Sequence, residues 1–115
     1  MDASEISLGS VHVLTVHEER IDGRTGIELA RAIAGIVERG HARIVVDLEH
    51  VRFMDSTGLA YLVRSLKLVG PRGDLAIAGL QEGLSVLFKL TRMDRVFRTH
   101  RSVADATKPF AGVGN

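Results

Sequence analysis

The chain contains no cysteine and no tryptophan. Without thiols there is no disulfide framework, no thiolate zinc site and no cysteine nucleophile. Tyr61, Phe53, Phe88, Phe97 and Phe110 are the only Tyr or Phe residues, too few for a platform that stacks single-stranded nucleic acid. An excess of one charge sign is also missing. Fifteen Lys and Arg against fourteen Asp and Glu give a net charge of +1, which offers no electrostatic footprint for DNA or RNA. No uncharged run approaches the ~18 residues of a membrane span, and the opening Met1-Asp2-Ala3-Ser4-Glu5 is acidic where a secretory signal is basic. The expectation is a cytoplasmic protein with no direct nucleic-acid partner and no membrane span.

What remains is ordinary for a globular domain: 45% hydrophobic and 25% charged residues in 115 positions. That length makes one core, deep enough to hold without a metal or disulfide staple. A single domain is expected over residues 4–110. Ala111–Asn115, with two glycines and little to bury, is expected to be a flexible tail.

The order of elements follows from periodicity and punctuation. Glu5–Leu8 and Val11–His17 read as two strands of a hairpin turning at Gly9-Ser10. Ile27, Ala30, Ala34 and Val37 recur at helical spacing, with Ile33 and Ile36 broadening the face, before Gly40 stops the helix. Ile44-Val45-Val46 is a β-branched run suited to a strand covered on both faces. A second helix opens at Asp55-Ser56-Thr57-Gly58, buries Leu59, Leu62, Val63, Leu66 and Val69, and ends at Gly70-Pro71. Leu75–Ala78 is a further strand, Glu82–Leu90 a helix with Leu84, Leu87 and Phe88 inward, and Val96-Phe97 a brief last strand. Ser102–Thr107 reads as a final helical turn or two. Strands alternating with helices after a hairpin predict an α/β fold, a mixed sheet of four to five strands with helices packed against it.

One cluster stands out. Asp55-Ser56-Thr57-Gly58-Leu59 is expected at the carboxyl end of the central strand, where open α/β sheets gather functional groups. Ser56 has the type and place of an N-cap, its hydroxyl accepting from a first-turn amide and adding about 1 kcal/mol. The same hydroxyl is also placed as a phosphoacceptor, because a phosphate there faces free N–H groups and the positive end of the helix dipole. Local chemistry leaves both readings open.

Asp22, Ile44-Val45-Val46-Asp47-Leu48, Phe53-Met54-Asp55-Ser56-Thr57-Gly58-Leu59, Phe88-Lys89-Leu90-Thr91 and Val96-Phe97 together resemble the STAS family, in particular its stand-alone anti-sigma factor antagonists. The resemblance implies a STAS-like sheet and a partner-switching protein that is not an enzyme and needs no cofactor or metal. In that family the unphosphorylated antagonist binds an anti-sigma factor with serine kinase activity and frees the sigma factor. The kinase then phosphorylates the serine after the motif aspartate, matching Ser56, and a serine phosphatase reverses it. Thr57 stays open as an alternative acceptor. The implied partner-binding residues are Asp22, Asp55, Ser56, Thr57 and Gly58. Glu19-Arg20 stands in place of a glycine-containing approach to Asp22. Arg92 stands where the family has glycine, so that turn is expected to take a conformation a side chain tolerates. A runner-up within the fold is a non-phosphorylated STAS scaffold of a transporter or stress-signalling complex; a third is a small enzyme or nucleotide-binding protein using the same cluster.

Other candidates carry less. Asp47-Leu48-Glu49-His50 lacks the second aspartate of an aspartyl-phosphate motif and reads as a strand end and polar loop. No Gly-x-Ser-x-Gly elbow occurs. His12 and His17 border the sheet, while His41, His50 and His100 read as loop residues, none in a metal-binding i, i+4 pair. Arg92, Arg95, Arg98 and Arg101 recur every third residue, the pattern of a solvated basic face.

Overall fold

The computed structural model describes the backbone of residues 1–113 and the side chains of 1–108, so the tail expected at Ala111–Asn115 lies outside the fully described residues. The hairpin forms as expected: β1 (Ala3–Leu8) and β2 (Val11–Val16) pair antiparallel, with Gly9 at φ +62° in the turn. β4 (Arg43–Asp47), β6 (Asp74–Ala78) and β7 (Arg98–His100) then add in parallel, giving a five-stranded mixed sheet of order β1-β2-β4-β6-β7. Two further strands, β3 (Arg20–Ile21) and β5 (Phe53–Met54), make a separate two-stranded ribbon.

β4 is central and covered on both faces, which is why its apolar residues run without alternation. Ile44 and Val46 join the main core with Leu14, Val16, Leu75 and Ile77, beneath α1 (Gly23–Glu38) and α2 (Ser56–Val69). Val45 turns to the other face, where Val11, Val13, Ala76 and Ala78 meet Ala106 of α5 (Val103–Val113). The remaining helices, α3 (Glu82–Leu90) and the single turn α4 (Met93–Val96), lie between β6 and β7 in the chain.

Three details depart from the expectation. The fully buried stripe of α1 is Gly26, Leu29, Ile33 and Ile36, one residue out of phase with Ile27, Ala30, Ala34 and Val37, which are half-buried flanks. Its first residue is a glycine, which adds nothing to a hydrophobic pattern, while Ile33 and Ile36 are buried as expected. Val96 closes the α4 turn and Phe97 is a buried anchor tilted against Phe88, with ring centroids 6.0 Å apart, so the last strand begins at Arg98. The final helix is longer than the turn or two expected at Ser102–Thr107. His100 also belongs to β7 rather than to a loop, and His12 is buried within β2.

Candidate functional site

The small ribbon builds the site. Arg20 pairs with Phe53 and Ile21 with Met54, while the Arg52 and Phe53 amides donate to the Glu19 carbonyl at 2.7 and 3.1 Å. Ile21 and Met54 are buried, pinning both strands into the main core. The next residue on each strand is an aspartate, and each aspartate opens a helix. Asp22 Oδ1 accepts from the Thr25 amide at 3.0 Å, and Asp55 Oδ1 accepts from the Gly58 amide at 2.8 Å. Parallel pairing thus delivers two capped N-termini side by side, and the helices stay packed along their length.

Small residues permit that approach. A Cβ on Gly26 would stand 3.2 Å from the Gly58 Cα, and one on Gly23 would stand 3.0 Å from Thr57 Cγ2. Asp22, Asp55, Thr57 and Gly58 therefore lie on one corner, with Ser56 at its tip. The Thr25 amide holds the Asp22 carboxyl below its ordinary value, against the opposing effect of desolvation.

Ser56 is not the N-cap. That role falls to Asp55, whose backbone is extended at φ −89°, ψ 177° while Ser56 already stands at the first helical position. The Asp55 amide is bonded to the Ile21 carbonyl at 3.2 Å, which ends the strand there and leaves its side chain to turn into the helix. The consequence is chemical. The Ser56 hydroxyl is exposed and makes no hydrogen bond among the described residues, so it can be modified without loss of the cap. Thr57 is exposed too, but its methyl carbon lies toward α1.

Around this corner lie residues the sequence did not mark as functional. Phe53 is 54% exposed, with the Arg20 guanidinium over its ring at 5.4 Å from the centroid. Arg20, Phe53, Met54 and Asp55 line a shallow depression. α3 packs beside β5 and leaves Val86 and Leu90 exposed one turn apart. Their signal was available: both fall off the inward face formed by Leu84, Leu87 and Phe88.

Other candidates fall elsewhere. The buried Asp47 accepts from the Glu49 amide at 3.1 Å and from the Thr15 hydroxyl at 3.4 Å, as a strand-end staple. Among the described residues no three His, Asp or Glu side chains are grouped to hold a metal ion. Arg92, Arg95, Arg98 and Arg101 fall on a turn, a helix, a strand and a bend, and Arg98 is paired with Asp74 at 3.2 Å. No described helix is long and apolar enough to cross a membrane.

The sequence profile of the STAS domain family matches residues 7–106. The anti-sigma-B factor antagonist of Staphylococcus aureus is 35% identical over 72 residues, covering 62% of this chain and 67% of that protein. An anti-sigma factor antagonist from Mycobacterium paratuberculosis has the same fold, with a TM-score of 0.83 at 24% identity over 94% of this chain and 92% of its own. The Bacillus cell fate determinant SpoIIAA, solved in its phosphorylated form, superposes with a TM-score of 0.71 at 12% identity over 95% of this chain and 99% of its own.

Proposed function

The chain belongs to the STAS domain family, and from that premise we propose that it is an anti-sigma factor antagonist switched at Ser56. Unphosphorylated, it docks an anti-sigma factor that carries serine kinase activity, and the sigma factor is released. The kinase moves the γ-phosphoryl group of ATP onto the Ser56 oxygen, the hydroxyl proton leaving to a base of the kinase. A serine phosphatase restores the free hydroxyl by hydrolysis. The protein is a binding partner and a substrate rather than a catalyst, and it works in the cytoplasm, with its partners and ATP.

The observation that carries this reading is the free, exposed Ser56 hydroxyl on a helix whose cap is already supplied by Asp55. A phosphate adds about −1.5 to −2 charge. The two adjacent helix N-termini tolerate that charge within the protein, since their amides and dipoles face it. A partner seated on Asp22, Asp55 and Thr57, above the buried Gly58, meets a corner that has gained charge and bulk, and it dissociates. Phe53, under Arg20, supplies an apolar contact beside the switch.

The test is incubation with candidate anti-sigma serine kinases and Mg-ATP, read by intact mass and site mapping, with complex formation followed in parallel. One phosphate on Ser56 and loss of the complex are expected. Ser56→Ala should stay bound and Ser56→Asp should bind weakly. Equal affinity of the two variants overturns the switch, modification at Thr57 moves the acceptor, and stable binding without modification turns the reading to a scaffold.

A further inference from the structure

We propose that the outer edge of β1 pairs with β1 of a second copy, making a two-fold dimer whose sheet runs continuously through both chains. The sheet has two edges. β7 is only three residues, Arg98-Thr99-His100, followed by Arg101, which is how proteins protect an edge from pairing. β1 is six residues long, and among the described residues nothing pairs with its outer side. Its one charged side chain, Glu5, is already engaged by His12 Nε2 at 2.8 Å and by Arg39.

The phase of the β1–β2 ladder decides which groups are free. Leu8 and Val11 flank the two-residue turn Gly9-Ser10, and the His17 amide donates to the Asp2 carbonyl at 2.8 Å. Both observations make the even-numbered residues of β1 the ones bonded to β2, so the N–H and C=O groups of Ala3, Glu5 and Ser7 point outward. Ile6 and Leu8 share a face with their partners Val13 and Val11, yet remain 56% and 40% exposed. They extend an apolar strip to the edge of the sheet.

Only some registers join outward groups to outward groups. Centring the two-fold on Glu5 sets two like charges directly opposite. Centring it on Ala3 or Ser4 leaves Leu8 beyond the paired strand, and centring it on Ser7 sets Glu5 against the turn residue Gly9 and leaves Ala3 and Ser4 unpaired. Centring it on Ile6 sets Ile6 against Ile6 at a non-hydrogen-bonded position, where side chains come closest, with Leu8 opposite Ser4. Glu5 and Ser7 then exchange main-chain hydrogen bonds on either side of the axis, and no like charges face each other. This register is the one the sequence favours, and the surface pairs with itself, as a two-fold interface requires.

A small edge contact makes a weak, reversible dimer, with a dissociation constant below about 1 mM expected from sedimentation equilibrium. Ile6→Lys sets two ammonium groups on the axis and should weaken the dimer at least tenfold, with circular dichroism and thermal melting confirming that it folds. The cysteine-free chain permits a second, independent readout. Under mild oxidation Ile6→Cys should link two copies much faster than Ser4→Cys or Glu5→Cys, and it decides the matter if Ile6→Lys does not fold. A chain that stays monomeric to about 1 mM overturns the proposal, as does Ile6→Cys linking no faster than Ser4→Cys. Faster linking at Glu5→Cys overturns the register.

Discussion

Gly58 rests against the main-chain carbonyl of Ile21: a Cβ there would stand 2.9 Å from the carbonyl carbon and closer still to its oxygen. The same oxygen accepts the Asp55 amide at 3.2 Å, so one peptide group ties down the strand end and forms the wall beside the helix. This contact sets the distance between the Asp22 and Asp55 corners.

Replacing a helical glycine with alanine ordinarily gains up to about 1 kcal/mol from propensity. Gly58→Ala should do the reverse, because main chain cannot swing aside as a flexible side chain can. Overpacking of this kind costs about 1–3 kcal/mol, so the expected net effect is destabilisation. Gly83 in α3 is the internal control, since a Cβ there meets nothing within 4 Å. Gly83→Ala should stabilise by a few tenths to about 1 kcal/mol. Urea unfolding of both variants checks the opposite signs, and a neutral Gly58→Ala would show that the helix start can shift.

The exchange of roles between Asp55 and Ser56 is separately measurable. Asp55→Ala should cost about 1 kcal/mol, because the Gly58 amide loses its acceptor. Ser56→Ala should stay within about 0.5 kcal/mol of the parent, as expected for an exposed side chain without a partner. The reverse order in urea midpoints would mean that Ser56 caps the helix. Asp55→Asn keeps an acceptor and separates the carboxylate's charge from its capping role.

What was legible in the chain was what leaves a pattern. Ile44–Val46 announced a strand covered on both faces, and Gly40 and Gly70, at φ +93° and +71°, mark the helix ends as read. β3 and β5 left no pattern, because two residues are too few for alternation, yet they align the two aspartates. Ile33 and Ile36 are buried as read, but the start of the α1 stripe was read one residue late because its first residue, Gly26, is buried by close approach to α2 rather than by hydrophobicity. β7 is a polar edge strand, so the buried Phe97 before it drew the expected strand too early. Adjacent Asp55 and Ser56 are equally good caps by residue type. The ribbon's hydrogen bond to Ile21 decides between them, and that contact is non-local.

Arg92 occupies the left-handed region at φ +62°, ψ +18°, between α3 and α4. The turn thus takes a conformation that glycine adopts freely, rather than the expected one that a side chain readily adopts. A side chain there costs about 1 kcal/mol or more. Arg92→Gly should remove that strain and, after the added freedom of the unfolded chain, stabilise by about 0.5–1 kcal/mol in urea unfolding. Destabilisation would mean that the Arg92 side chain makes a compensating contact.

Asp22 gives the corner an acid-sensitive support. Its carboxyl is held below the ordinary value of 3.8 chiefly by the Thr25 amide, so the folded chain binds fewer protons than the unfolded chain as the pH falls. The stabilisation is complete well above that value and is lost as pH drops through the lowered one. Asn caps about as well as Asp and does not titrate here. The parent should therefore lose stability more steeply than Asp22→Asn below about pH 5, and the two curves should run parallel above it. Urea midpoints from neutral pH downward test this, and curves that stay parallel throughout would remove Asp22 from the acid response. Because Asp22→Asn retains the cap, any loss of partner affinity at neutral pH would then be due to the missing charge rather than to a loosened helix.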